Sequence, residues 1–235
     1  MMSTRLAETE NVKYILGEKY VMFERISSAN TFEPFGELSN IIGGIREGDT
    51  AGVIVTDQLS HAYFLHLALS NFQGNSYYLD VSSRVSPQIV SSLGGNPDMV
   101  FFGKVYSIND VFSALNYVQP GSLLIVGSLN LLNPSTEDVL NLRKIVHEKG
   151  LFAIVLVEEQ ALNELDLLGE SRRLLLIPEL YEQVLIGRIN HYRGKYKLTV
   201  TVLRNYPEKL DSLGDHEIVI DEEVRKILSL GTEGQ

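Results

Sequence analysis

Short apolar segments alternate with segments of helical spacing along most of the chain. The apolar segments are nearly continuous and rich in β-branched residues, which is typical of strands buried on both faces of a parallel sheet. They lie at residues 51–56, 76–81, 100–105, 122–127 and 151–157. Apolar positions at helical spacing predict helices at residues 61–72, 108–118 and 136–150. The pattern therefore predicts an α/β domain with a mostly parallel central sheet and helices on both faces.

Capping residues mark the ends of the last of these helices. Ser135 is followed three residues later by Asp138, which is a variant of the capping box at a helix start. Gly150 fits the end of the same helix, because glycine readily takes the left-handed conformation found there.

The pattern changes towards both ends of the chain. Residues 183–192 and 196–203 alternate in polarity, and Arg193-Gly194-Lys195 joins them, which predicts an antiparallel hairpin. A strand at residues 216–220 and a helix at residues 221–228 follow. In the first 25 residues, the segments 12–16 and 20–23 fit either helix or strand. We therefore expect an N-terminal segment of unassigned structure, residues 1–25, and a single core domain, residues 26–230.

Composition excludes several kinds of site. The chain has no cysteine, so it carries no disulfide, no thiolate nucleophile and no cysteine-bound metal. Its formal net charge of -10 disfavours a general nucleic-acid-binding surface. It has no run of about 18 apolar residues, and its N-terminus lacks the apolar segment of a secretory signal. We expect a cytoplasmic protein with no membrane partner.

Several aromatic residues fall on predicted strands and helices, and we expect them in the core. They are Tyr63, Phe64, Tyr77, Tyr78, Phe101 and Phe102.

The chain lacks the phosphate loop that a nucleotide-binding domain of this layout would carry. In such a loop, glycines expose backbone N–H groups to the phosphates, and a lysine and a magnesium-binding hydroxyl follow. Here the first core strand leads into a segment without glycine or lysine. This degenerate segment contains Thr56, Asp57, Ser60, His61 and Ala62. The Asp57 carboxylate would also repel phosphate.

Two further parts of an ATPase site are replaced. The strand at residues 122–127 ends in Gly127, where an aspartate would hold the magnesium water. Asp80 is present in the second core strand, but Ser82 follows where a water-activating glutamate would act. We therefore predict a protein that is not an enzyme, with no catalytic residues, no cofactor and no metal site.

Several segments resemble motifs of the RecA/RadA family of strand-exchange recombinases, in the family's order. Residues 38–45, LSNIIGGI, resemble its LD.LLGGGI entry to the ATPase core, and Tyr78-Leu79-Asp80 resembles its YIDTEG strand. Residues 123–128, LLIVGS, resemble LLVVDS without the aspartate, and residues 157–160, VEEQ, resemble VTNQV. Residues 188–227 resemble the family's closing hairpin and its PEGEVVFAITEEGI ending. The resemblance implies a RecA-like three-layer fold of the P-loop NTPase class and an archaeal source.

The resemblance also implies that the family's nucleotide site is degenerate in this chain. The phosphate-loop (Walker A) Lys-Thr pair falls on His61-Ala62, and the catalytic glutamate falls on Ser82. Gln160 matches the family's sensor glutamine, but here there is no γ-phosphate to sense. The first 25 residues contain no clear Phe-x-x-Ala linker, so we do not expect polymerisation of the recombinase type.

Basic residues are concentrated in the predicted hairpin. Residues 188–209 contain six basic residues and one acidic residue. The candidates for DNA or partner binding in this region are Arg188, Arg193, Lys195, Lys197 and Arg204. Two interpretations stay open: a surface for DNA or an acidic partner, or an edge hairpin whose lysines prevent strand pairing. Arg172 and Arg173 lie among acidic residues in the region that corresponds to the family's second DNA loop, where an ordinary connection is favoured.

These observations predict a non-catalytic RecA/RadA-like paralogue that acts in DNA recombination and repair. It would act through protein contacts with a recombinase or another RecA-like paralogue, with at most weak DNA binding. The alternative is a degenerate KaiC-like protein with a regulatory or scaffolding role unrelated to DNA.

Overall fold

Two units make up the chain, Met1–Asn30 and Thr31–Gln235. The computed structural model describes residues 12–16, 19–23 and 30–231. In the first unit, β1 (Val12–Leu16) and β2 (Lys19–Phe23) form an antiparallel pair in which Val12 is opposite Phe23. Strands therefore occupy the two segments for which the sequence allowed helix or strand. The domain boundary predicted between residues 25 and 26 lies outside the described residues.

The second unit is built on a mixed eight-stranded sheet. A separate antiparallel pair, β3 (Thr31–Phe32) and β4 (Ile45–Arg46), comes first in the chain. The strands of the main sheet are β5 (Thr50–Val55), β6 (Ser76–Asp80), β7 (Val100–Lys104), β8 (Leu123–Gly127), β9 (Phe152–Glu158), β10 (Gln183–Tyr192), β11 (Lys195–Arg204) and β12 (Gly214–Val219).

The order across this sheet is β12-β11-β10-β5-β9-β8-β6-β7. All neighbours from β10 to β7 pair in parallel, whereas β10 with β11 and β11 with β12 pair antiparallel. The mostly parallel sheet and the antiparallel C-terminal hairpin predicted from the sequence are confirmed.

Side chains of the central strands enter two hydrophobic clusters, one on each face of the sheet. Val53 and Val55 of β5 belong to one cluster, and Ile54 between them belongs to the other. Successive side chains of a strand point to opposite faces. The central strands are therefore apolar at every position because both of their faces are covered.

Seven helices of the second unit lie within the described residues. They are α1 (Glu37–Ile42), α2 (Gln58–Asn71), α3 (Pro87–Ser92), α4 (Ile108–Leu115), α5 (Thr136–Glu148), α6 (Leu167–Leu175) and α7 (Asp221–Gly231). Buried residues of α1, α2, α3 and α7 join the cluster of Val53, and those of α4, α5 and α6 join the cluster of Ile54. The capping box of Ser135 and Asp138 begins α5 as predicted. Within the described part of the chain, no helix has the length and apolarity needed to cross a membrane.

The prediction that Phe101 and Phe102 lie in the core was wrong. They belong to β7, the edge strand of the sheet, and are 47% and 36% exposed. An edge strand has a neighbour on one side only, so its side chains receive less cover than those of central strands. Tyr63, Phe64 and Tyr78 are buried, as predicted.

The C-terminal hairpin turns through two residues rather than three. Tyr192 pairs directly with Lys195, so Arg193 and Gly194 alone form the turn. Both have positive φ, 51° and 77°. This backbone matches the right-handed twist of the flanking strands, but it is rare for a side chain as large as arginine.

Candidate functional site

The predicted nucleotide-site residues lie at the edge of the sheet where the parallel strands end. Strand β5 is central in the sheet, with β9 on one side and β10 on the other. In open α/β sheets, ligands bind at this carboxyl edge, where the order of strands reverses. Thr56 and Asp57 follow β5; Ser60, His61 and Ala62 lie in α2; Asp80 ends β6 and precedes Ser82; and Gly127 ends β8.

The connection between β5 and α2 is too short for a phosphate loop. Only Thr56 and Asp57 separate the strand from the helix, whereas the P-loop motif spans about eight residues. Asp57 caps α2: its carboxylate accepts hydrogen bonds from the Ser60 backbone N–H at 2.8 Å and from Ser60 Oγ at 2.6 Å. The positive end of a helix attracts an anion. Here the chain supplies that anion itself.

Internal packing and hydrogen bonds occupy Ser60, His61 and Ala62, so they do not form a ligand site. Ser60 is fully buried, and its Oγ accepts a hydrogen bond from the Ile189 backbone N–H at 2.8 Å, which joins α2 to β10. His61 is 2% exposed, and its Nε2 has no partner among the described residues. Burial, and secondarily the charge of Arg84, lowers the pKa of His61 to about 4. At pH 7 this imidazole is therefore neutral. The Ala62 carbonyl oxygen lies 2.8 Å from His66 Nδ1.

Asp80 is fully buried and has several donors around it. It accepts hydrogen bonds from Tyr78 Oη at 2.5 Å, the Val81 backbone N–H at 2.8 Å and Ser82 Oγ at 3.3 Å. Burial, together with the bond to Asp80, raises the pKa of the Tyr78 hydroxyl. A Cβ at Gly127 would come within 2.8 Å of Asp80 Cγ. A side chain at position 127, an aspartate included, would therefore collide with Asp80.

An internal ion pair joins the strand ends on either side of β8. Arg84 pairs with Glu158 at the end of β9, and Arg84 Nε donates to Ser82 Oγ at 2.9 Å. The side chain of Glu158 is only 12% exposed. The carboxylates of Asp57, Asp80 and Glu158 at this edge therefore all have donors from the protein. Hydrogen bonds link Asp80 to Glu158 through Ser82 and Arg84, and we call this set the closed network; Asp57 belongs to a separate set with Ser60.

The structure places no metal-binding cluster at this edge. Within the described residues, no three His, Asp or Glu side chains are grouped so that they could hold a metal ion. Gln160, which matches the family's sensor glutamine, is exposed just beyond β9.

Most of the predicted basic candidates are paired with acidic residues. Arg188 bonds to Glu164 at 2.6 Å, and Lys197 bonds to Glu217 at 2.5 Å. In α6, Arg172 pairs with Glu179 at 3.0 Å, and Arg173 pairs with both Glu159 and Glu170. Because these ion pairs neutralise the basic side chains, they leave little net positive charge to bind phosphate.

The remaining basic candidates are exposed. Arg204 lines a pocket of about 120 Å³ together with Arg172. Arg193 and Lys195 lie at the hairpin turn, where the Arg193 guanidinium stands 5.0 Å from the centre of the Tyr192 ring. Neither forms an ion pair with any described residue. Among the described residues, the basic candidates of the hairpin without an ion pair are therefore Arg193 and Lys195 at its turn and Arg204 at the far end of β11.

Sequence reasoning missed two members of the network at the carboxyl edge. Arg84 lies in the loop after β6 and Glu158 at the end of β9, and they are 74 residues apart. No local pattern pairs residues at such a separation. The one available signal was a charged residue at the end of an otherwise apolar strand.

No protein-family model matches the chain, and no curated protein matches its sequence.

Proposed function

We propose that this chain is a non-catalytic RecA/RadA-like paralogue that acts in archaeal DNA recombination and repair through protein contacts. The observation that carries the proposal is the two-residue connection from β5 to α2, in which Asp57 takes the place of a phosphate. A nucleotide would have to displace this carboxylate and would meet its charge. The chain therefore keeps the layout of a nucleotide-binding sheet without its chemistry.

The positions of the resembling motifs support the RecA-like part of the proposal. Tyr78-Leu79-Asp80, residues 123–128 and residues 157–160 fall on or directly after β6, β8 and β9. These three strands are neighbours, and their carboxyl ends share one edge with β5. The motifs that would surround a nucleotide in the family thus lie around the site that is closed here. Helices on both faces of the sheet agree with a three-layer fold.

The closed network supports a role that does not depend on nucleotide. In a nucleotide-binding protein, ligand charges neutralise the groups at this edge. Here the Arg84–Glu158 pair and the Asp57 cap do so. Internal ion pairing of this kind supports a constitutive protein partner for a recombinase.

Two measurements on the purified chain test the proposal. Isothermal titration calorimetry with Mg-ATP should give no binding heat, and micromolar affinity would contradict the proposal. Affinity capture with the tagged chain from an archaeal extract should recover a recombinase or another RecA-like paralogue. If the captured proteins include no recombinase and no RecA-like paralogue, the result would favour the KaiC-like regulatory alternative.

A further inference from the structure

Free positive charge collects at the turn of the C-terminal hairpin. We define the hairpin tip as Tyr192, Arg193, Lys195 and Arg225. Tyr192 and Lys195 are directly opposite in the β10–β11 pairing, and Arg193 lies between them in the turn. Arg225 comes from α7 and donates from Nη2 to the Gly194 carbonyl oxygen at 3.1 Å. The fold therefore adds a third cation to the two that flank Gly194 in the sequence.

The cations of the hairpin tip are poorly neutralised. Arg193 and Lys195 have no ion pair with the described residues, and Arg225 reaches Asp221 only at 3.9 Å. Asp221 also accepts a hydrogen bond from the Tyr196 backbone N–H. By contrast, Arg188 and Lys197, further along the same strands, each have an acidic partner within 3 Å. In a chain of net charge -10, the tip is a local positive site.

The hairpin tip also exposes an aromatic ring. Tyr192 is 58% exposed, and the Arg193 guanidinium lies 5.0 Å from its ring centre. The rings of His191 and Tyr196, the next cross-strand pair, lie 4.5 Å apart in a tilted arrangement. An exposed ring next to free cations matches the two requirements of single-stranded nucleic acid: a surface for an unstacked base and donors for the flanking phosphates.

We propose that the hairpin tip binds single-stranded DNA, with one base stacked on Tyr192 and the adjacent phosphates bound by Arg193, Lys195 and Arg225. The inference rests on the proposed function only for the choice of DNA as ligand. A duplex is disfavoured because its bases are stacked on one another and cannot cover the ring. An acidic protein segment could bind the cations of the hairpin tip without contacting the Tyr192 ring. The test below distinguishes such a segment from single-stranded DNA.

The test measures binding of a fluorescent oligothymidylate of about 20 nucleotides by anisotropy at low salt. A sugar–phosphate oligomer of the same length without bases reports phosphate binding alone. The wild type should prefer the oligothymidylate about tenfold or more, because stacking contributes about that factor per base. Three phosphate contacts on a single strand predict a log–log salt slope of about −2.

Single substitutions separate stacking from charge. Tyr192→Ala should lose about tenfold in affinity for oligothymidylate while binding the oligomer without bases like the wild type. Tyr192→Phe should retain affinity, since it keeps the ring. Tyr117→Ala is the matched control, because Tyr117 is 83% exposed at a site without this cluster, and it should bind like the wild type. Arg193→Asn removes the charge with a residue that tolerates positive φ, so it should weaken binding to both oligomers without unfolding the turn.

Three results would overturn the inference. They are absence of oligothymidylate binding by the wild type at low salt, equal affinity for the two oligomers, and equal affinity of Tyr192→Ala and Tyr117→Ala. Equal affinity for the two oligomers would instead indicate a docking surface for an acidic partner. The capture experiment is independent of these results. Recovery of a recombinase without oligothymidylate binding would reject this inference alone, and the reverse would reject the proposed protein partnership alone.

Discussion

His61 and Asp80 illustrate how single residues close the carboxyl edge of the sheet. Both are buried, His61 in the first part of α2 and Asp80 at the end of β6, where a nucleotide domain would carry solvent-accessible groups. Asp80 keeps its position through three donors, and His61 is held as a neutral ring. A buried group that must stay neutral makes stability depend on pH.

His61 should make the protein less stable in mild acid. Burial lowers its pKa in the folded state to about 4 from the ordinary 6.5, so between these two pH values the unfolded state binds more protons. Stability should therefore fall as the pH is lowered from 6.5 towards 4, by about 2 kcal/mol between pH 7 and pH 5 from this residue. The surrounding charged or titratable groups are Arg84, Asp80 and His66. Urea unfolding of wild type and His61→Gln across this range measures the difference, and parallel pH dependences would contradict the assignment.

Close contacts between elements explain why certain glycines are needed. A Cβ at Gly187 of β10 would lie 2.5 Å from the Phe64 ring, so this glycine lets α2 approach the sheet. A Cβ at Gly127 would meet the Asp80 side chain in the same way, between the neighbouring strands β8 and β6. An aspartate at position 127 and the present position of Asp80 are mutually exclusive, for steric reasons and because two carboxylates would be buried together.

Gly127→Ala should therefore destabilise the protein by about 1–3 kcal/mol, the usual cost of overpacking. In an Asp80→Ala background the same substitution should cost about 1 kcal/mol less, because Asp80 Cγ and Oδ1, two of the atoms nearest the new methyl group, are gone. A double-mutant cycle of unfolding free energies measures this coupling. Strictly additive effects would show that the Cβ of residue 127 does not meet Asp80.

At the scale of the whole molecule, a second polar network ties the opposite edge of the sheet together. Arg143 of α5 bonds to the Gly48 carbonyl oxygen and to the carboxylates of Asp49 and Glu182. Glu182 in turn accepts from the Thr50 backbone N–H at 2.9 Å. Burial raises the pKa of Glu182, and Arg143 opposes that rise. One side chain thus connects α5 to the residues that begin β5 and β10.

Arg143→Met should lower the free energy of unfolding by about 2–4 kcal/mol, because it leaves two partly buried carboxylates without their cation. Lys144→Met is the matched control. Lys144 is the next residue and forms an exposed pair with Glu148 at 3.7 Å, so its loss should cost less than about 1 kcal/mol. Calorimetric melting of the three proteins provides the comparison. Similar melting temperatures for the two variants would contradict the role assigned to Arg143.

The sequence alone predicted most of the elements and showed that the residues of a phosphate loop are missing after the first core strand. Apolar periodicity located the five parallel strands β5 to β9 and the hairpin within a residue or two, since it reflects which faces each segment buries. The missing glycines and lysine at residues 56–62 are equally local, because a phosphate loop is a contiguous piece of chain. The short helices α1 and α3 were missed, as six residues each are too few to show a period.

Only the tertiary structure decided which distant residues meet. The sheet order made β7 an edge and exposed two phenylalanines whose segment resembles a buried strand. Folding also joined Arg84 to Glu158 and brought Arg225 to the turn at Gly194, across separations of 74 and 31 residues. A local sequence pattern indicates which face of a segment is polar and which is apolar. It does not specify which other segment covers those faces, because that is set by packing the elements of the second unit around its eight-stranded sheet.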